Sequence, residues 1–194
     1  MSKVTIAGDV NGTGVFTIAA PNGNTNRTLV LPDEAGTLAT TAFVTNRLVQ
    51  NLNVTTSAYA TGTTRIPSDD TIPQITEGTQ FLQLAITPTS TTSLLEISVI
   101  LNVRSGSEVV VVSTALFKNA DANALQSNRL YTATNFAISP MVLTHRIVAG
   151  STAEQIFRVR AGPNTTGSVA INGDNNRIFG GVLLSSITIK EYAA

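Results

Sequence analysis

The sequence predicts a mainly β protein with a small N-terminal β-rich base, a short amphipathic helix and a C-terminal antiparallel β sandwich or jelly roll. Thr, Asn and Ser number 29, 16 and 15, together 60 of the 194 residues. Thr is β-branched, which favours pleated, half-buried strands over helices. Turn signals of Gly, Pro, Asn and Asp recur at short intervals along the chain. Because there is no Cys, no disulfide framework can stabilise this fold.

Charge and hydropathy exclude several classes of function. Twelve basic and twelve acidic residues balance, and only 12% of the chain is charged although 42% is hydrophobic. This balance gives no basic stripe for phosphates, so we expect no nucleic-acid partner. No apolar run approaches the roughly 18 residues of a membrane helix, and the start of the sequence lacks the apolar core of a signal peptide. We therefore expect a soluble protein without membrane insertion.

Residues 1–40 form the predicted N-terminal module. Turn signals such as Asn11-Gly12 and Pro32-Asp33 separate short β-leaning segments, each with only a few apolar side chains. Chains below about 40 residues usually need metals, disulfides or oligomerisation to fold. Without Cys, oligomerisation is the most economical of these solutions.

Residues 41–53 are predicted to form a helix. Val44, Leu48 and Leu52 recur every four residues, which places them on one apolar stripe. About twelve residues make a marginal helix in water, so the stripe must be buried. It packs either on its own domain or in a short parallel bundle on an oligomer axis, where these three residues would form a neck.

Residues 54–194 form the predicted sandwich, beginning with an extended segment over 54–75. Leu95, Ile97 and Val99 alternate with polar residues, as in a half-buried antiparallel strand. The sequence predicts strands at 79–87, 95–103, 141–148, 155–161 and 168–172, and more deeply buried strands at 183–189 and over the two runs 109–112 and 115–117. Seven or eight short strands separated by turns are typical of a two-sheet sandwich or jelly roll.

Catalytic and metal-binding patterns are not found in the sequence. His145 is the single histidine and lies within a predicted strand. The Asp69-Asp70 pair precedes Thr71-Ile72-Pro73 and is interpreted as a turn former or a cap to the first strand. No nucleophile motif or calcium-loop pattern occurs. We therefore expect no enzymatic activity, no cofactor and no metal.

The segment 119–140 is the longest stretch of the predicted sandwich without a clear strand signal. It carries Arg129, Tyr131, Asn135 and Phe136. Loops on a rigid β scaffold are common recognition sites, and an exposed ring beside amide and guanidinium donors could hold a saccharide. Alternatively, Tyr131 and Phe136 pack the loop against the core.

Several motifs resemble those of tailed-bacteriophage tail fiber proteins. The runs 8–21 (GDVNGTGVFTIAAP), 27–33 (RTLVLPD) and 35–38 (AGTL) are similar to the N-terminal module of such fibers. The runs 66–67, 70–74 (DTIPQ), 77–80 (EGTQ), 86–88 and 94–97 resemble the C-terminal head of related fibers, as does Phe179-Gly180-Gly181 before the last strand.

This resemblance implies a homotrimer whose N-terminal base attaches to other virion proteins of the tail or baseplate. Its β-sandwich head would face outward toward a host-surface glycan. We therefore expect a structural virion protein, a short tail fiber that recognises the host. The alternative is a trimeric decoration or cement protein that uses residues 1–40 to bind capsid subunits. A polysaccharide-degrading enzyme is the least favoured class, because tailspike enzymes usually need a larger, groove-bearing scaffold.

Overall fold

The computed structural model describes residues 11–13, 23, 47–106, 111–131 and 137–194. The chain divides into two units, Met1–Leu38 and Ala39–Ala194. All described strands belong to the second unit. Apart from residues 11–13 and 23, the predicted N-terminal module lies outside the described residues.

The second unit is an antiparallel β sandwich. Its strands are β1 (Leu48–Thr56), β2 (Ala60–Gly62), β3 (Thr79–Ile86), β4 (Leu94–Ser105), β5 (Val111–Lys118), β6 (Gln126–Tyr131), β7 (Ser139–Val148), β8 (Gln155–Pro163), β9 (Val169–Ile171), β10 (Gly173–Asp174), β11 (Asn176–Arg177) and β12 (Ser185–Tyr192). One sheet has the order β1-β12-β4-β9-β2, with β7 on the other edge of β4, and the second sheet has the order β3-β8-β5-β6. The eight long strands thus divide into two layers of four, β1-β12-β4-β7 and β3-β8-β5-β6, as in a jelly roll. The predicted mainly β sandwich is confirmed.

The core lies between the two sheets. On β4, the alternating residues Leu95, Ile97 and Val99 are fully buried, as the sequence pattern predicts. They pack against inward-facing residues of the second sheet, including Phe157 and Leu116. The predicted strands at 79–87, 141–148, 155–161 and 168–172 correspond to β3, β7, β8 and β9.

The second sheet is covered on its outer face as well. On β5, Leu116 faces the main core, whereas Phe117 faces outward and is also fully buried. Phe117 packs with Ile66 and Ile75, which belong to the segment 63–78 between β2 and β3. This segment therefore lies across the outer face of β5, and it later forms one wall of the candidate site.

The predicted helix over 41–53 is wrong for residues 48–53. These are the first six residues of β1, which pairs with β12. Val44 lies outside the described residues. The spacing misled because a four-residue repeat fits one side of a strand as well as a helix. A register irregularity between Leu48 and Gln50 puts Leu48 opposite Tyr192 and Leu52 opposite Ile189, so the two leucines lie on opposite faces of the sheet. Leu52 packs against the main core, and a helical neck cannot include it.

A buried carboxylate attaches β1 to the sandwich. Glu191 of β12 is fully buried and accepts hydrogen bonds from Gln50 Nε2 at 2.7 Å and from the Thr89 amide and hydroxyl at 2.7 and 2.6 Å. Burial alone would raise the pKa of Glu191, but these hydrogen bonds outweigh it and hold the pKa below its ordinary value. These contacts make β1 part of the sandwich of its own chain and not of a separate neck.

We expect Leu52→Asp to destabilise the folded chain itself. A carboxylate placed against the core without a partner should lower the free energy of unfolding by at least about 2 kcal/mol. Asn51→Asp is the matched control, because Asn51 is exposed and lies opposite Lys190 on the outer face. Urea denaturation of both variants measures the difference. If Leu52→Asp had the same free energy of unfolding as the wild type and only dissociated an oligomer, the result would favour the prediction that Leu52 belongs to an oligomer neck.

The remaining elements are short. The described residues contain one 3-10 turn, Phe179–Gly181, as their helical structure. Within these residues no helix has the length and apolar character needed to cross a bilayer. The segment 119–140, which has no clear strand signal in the sequence, contains β6 and the first two residues of β7. The polar composition of β6 concealed it.

Candidate functional site

A polar cleft opens where the segment 66–73 crosses the outer face of β5 and β6. Backbone hydrogen bonds hold the segment at both ends. Ile66 N donates to Pro163 O at 3.1 Å, and Ala124 N donates to Pro73 O at 2.9 Å. Between these anchors the chain arches away from the sheet and leaves space beneath it.

Close backbone packing fixes the distance between the sheet and the start of the segment 66–73. Gly162 of β8 lies directly beneath the start of the segment, and a Cβ atom there would come 2.2 Å from Thr64 O. Only glycine permits the approach. The wall of the cleft is therefore positioned by a strand that does not itself line it.

The space consists of two adjoining cavities of about 400 and 410 Å³, each within the size range of ligand pockets. Both are lined by Asp69, Thr71, Pro73 and Ser127. The first is lined in addition by Ile66, Pro67, Ser68, Ser113, Asn128 and Arg129. The second is lined in addition by Asp70, Ile72, Ala124, Leu125 and Gln126.

Strand register explains the polar floor. Ser113 of β5 pairs with Arg129 of β6, and Ala115 pairs with Ser127. Directly paired residues project on the same face of a sheet. Since Ala115 faces outward with Phe117, Ser113, Ser127 and Arg129 also face outward into the cleft.

Asp69 is held in one orientation on the opposite wall. Its Oδ1 accepts hydrogen bonds from Thr71 N at 2.9 Å and Thr71 Oγ1 at 2.6 Å. The hydroxyl and amide of Thr71 lower the pKa of Asp69 below its ordinary value, so the side chain is a carboxylate at neutral pH. It forms the turn that the sequence suggested, and its carboxylate, which only accepts hydrogen bonds, lines both cavities.

Arg129 is positioned across the cleft by the same segment. Its Nη1 donates to Ser68 Oγ at 3.1 Å, and its backbone amide donates to Asn128 Oδ1 at 2.8 Å. One guanidinium hydrogen bond of five is thus used to fix the side chain. The fixed pair of Asp69 and Arg129 presents an acceptor and a donor group to whatever enters.

The predicted recognition residues divide into three groups. Arg129 lines the first cavity. Tyr131 lies two residues further along the same face of β6 and is 66% exposed, outside the cavity lining. Asn135 and Phe136 lie outside the described residues. His145 lies in β7, opposite Ile97.

The sequence did not reveal most of the residues that line the cleft. Asp69 was interpreted as a turn former or a strand cap, and Ser68, Ser113 and Ser127 were not singled out. The alternation of Ser127, Arg129 and Tyr131 at period two could have indicated a polar strand face. Only tertiary folding brings residues 66–73 onto that face.

The chemistry available to the cleft is hydrogen bonding. Its lining is rich in hydroxyl, amide and charged groups, and the apolar groups are mainly Ile and Pro. Within the described part of the chain, no group of three His, Cys, Asp or Glu side chains could hold a metal ion. Taken together, the described unit is a jelly-roll sandwich with a polar, two-chambered cleft on its second sheet.

No family model and no curated protein matches the sequence. Among solved structures, the chain is similar to the Eiger TNF of S. frugiperda, with 10% identity over 74% of this chain and 93% of that chain and a TM-score of 0.43. It is similar to a protein of infectious bursal disease virus, Gt strain, with 12% identity over 88% and 43% and a TM-score of 0.39. The sugar-binding C-terminal domain of EclA shares 11% identity over 71% and 79%, with a TM-score of 0.34. Likeness at this level carries no functional conclusion, so the site is interpreted from its own residues.

Proposed function

We propose that this protein is a structural component of a bacteriophage virion, a short tail fiber that attaches through residues 1–40 and recognises a host-surface glycan through its sandwich. One observation carries the proposal. The runs that resemble phage fiber heads, 66–67 and 70–74, belong to the segment that forms one wall of the polar cleft. Resemblance and site geometry therefore converge on the same part of the chain.

The polar lining supports a carbohydrate ligand. Sugars offer dense hydroxyl groups, each both a donor and an acceptor, and the cleft places a fixed acceptor on Asp69 and fixed donors on Arg129. The side chains of Pro67 and Pro73 supply apolar surface for the faces of sugar rings. Fold alone does not argue for this function, because jelly rolls serve many roles.

We propose no catalytic role for the cleft. A glycosidase needs a general acid whose pKa is raised and a second carboxylate opposite it. The pKa of Asp69 is lowered instead, and the charged group across the first cavity is Arg129. This arrangement suits binding.

Self-association as a homotrimer is part of the proposal. The resemblance implies it, and the surface near the 3-10 turn is consistent with contacts between copies. Phe179 and Val182 are 72% and 78% exposed, and large exposed apolar groups that cluster often mark interfaces. Sedimentation of the full chain measures the state directly, and a monomer at micromolar concentration would contradict this part.

Binding of the purified chain to cells of a susceptible host tests the recognition role. We expect Arg129→Ala to reduce cell binding at least about tenfold, because it removes the fixed donors of the first cavity. Arg146→Ala is the matched control, since Arg146 is an exposed arginine of β7, which belongs to the other sheet. Equal binding by the wild type and Arg129→Ala would contradict recognition through this cleft.

A further inference from the structure

We propose that the cleft binds a neutral oligosaccharide through two consecutive sugar units, one in each cavity, with Asp69 at the junction between them. This inference rests on the proposed glycan recognition and specifies its ligand. It follows from the division of the cleft, from the donors and acceptors along it and from its charge.

The two cavities are neighbours that share a wall. Asp69, Thr71 and Ser127 line both, so a ligand that fills one touches the residues that begin the other. Each volume, about 400 and 410 Å³, exceeds the lower limit of about 300 Å³ for ligand pockets. A single sugar unit cannot occupy both cavities, whereas two or more linked units can.

Hydrogen-bonding capacity differs between the two ends. Arg129 only donates, so the unit in the first cavity must present an acceptor to it. Ser113, 5% exposed, adds a buried hydroxyl to the floor of that cavity. In the second cavity, Asp70 is an exposed carboxylate, which only accepts hydrogen bonds. The unit in the second cavity must therefore present a donor to it, such as a hydroxyl group.

The junction also requires donors. Thr71 occupies Asp69 Oδ1 and fixes the carboxylate, and Oδ2 can accept from hydroxyl groups of both units. Charge-assisted hydrogen bonds of this kind are roughly twice as strong as neutral ones. Asp69 should therefore contribute most to binding when a ligand occupies both cavities, because it can then accept from two units.

Charge excludes an acidic ligand. The charged groups lining the two cavities are Asp69, Asp70 and Arg129, two negative and one positive. A uronic or sialic acid would thus enter a site of net negative charge. A neutral glycan avoids this repulsion, and its affinity should change less than about twofold between 50 and 500 mM NaCl because no net ligand charge is screened.

An array of bacterial surface glycans of one to six units, neutral and anionic, tests the inference with the full chain. We expect the strongest signal from a neutral glycan of at least two units, whose component monosaccharides bind at least about tenfold more weakly in titrations. A preferred anionic glycan, or a monosaccharide that binds as tightly as the longer ligand, would overturn the two-unit inference and leave glycan recognition standing. Binding to no glycan on the array would overturn both.

Two substitutions separate the cavities. Asp70→Ala should lower affinity for the preferred disaccharide to near that of its monosaccharide, and should leave monosaccharide binding in the first cavity unchanged. Arg129→Ala should weaken both ligands, and Arg146→Ala neither. Equal loss of both ligands in Asp70→Ala would contradict separate subsites, and thermal unfolding of each variant identifies any loss caused by misfolding.

Discussion

Phe117→Ala should lower the free energy of unfolding by about 3–5 kcal/mol, the usual cost of truncating a fully buried Phe. It should also release the cleft wall. Phe117 is fully buried outside the main core, where it packs with Ile66 and Ile75 of the crossing segment. Its removal leaves a cavity under the anchors of residues 66–73. Denaturant unfolding gives the global loss, and amide exchange at Ile66 and Ile75 reports the local one.

Phe157→Ala is the matched control for this prediction. Phe157 is equally buried but belongs to the core between the sheets. Its truncation should cost a similar free energy while amide exchange at Ile66 and Ile75 rises only as far as global unfolding requires. Identical exchange patterns in both variants would show that the crossing segment does not depend on Phe117.

Asp174→Ala has the second largest expected effect, about 1–3 kcal/mol. Arg104 of β4 has a side chain only 2% exposed, and its Nη2 lies 3.1 Å from Asp174 Oδ1 and 3.1 Å from Asn175 Oδ1. Removing one partner of a buried charge usually costs 3–5 kcal/mol. The cost is smaller here because Asp174 is 46% exposed and Asn175 remains.

The control for Asp174→Ala is Glu96→Ala, which breaks the ion pair with Arg146. Arg146 is 64% exposed, so water replaces its partner and the cost should stay below about 1 kcal/mol. Denaturant midpoints of the two variants, measured at low and high salt, check the difference. Equal losses would mean that burial of Arg104 has no energetic consequence.

The strands were predictable where one face is buried and the other is polar. From Leu95 to Val103 every second residue is apolar and buried, with Ile100 as the one apolar residue on the outer face, and β4 is found there. The prediction failed where the pattern was ambiguous. Leu48 and Leu52 fit a helix stripe, but Glu191 and Ile189 of β12 provide partners for β1. A local spacing carries no information about a strand more than 130 residues away.

Of the residues that line the candidate site, only Arg129 was predicted from the sequence. Arg129 was identified because it stands in a polar segment without an apolar pattern. Asp69 lies 60 residues earlier, and Ser113 appears in a strand that is mostly apolar. Their meeting depends on the burial of Ile66 against Phe117, a tertiary contact with no local sequence signature.

The most direct measurement of the central claim is the position of this chain on the virion. Gold-labelled antibody against the full chain, imaged on purified virions by negative stain, should mark the tail. Label over the capsid surface would contradict the tail-fiber assignment and favour the decoration protein. Purified infectious virions without label would contradict a structural role in the particle.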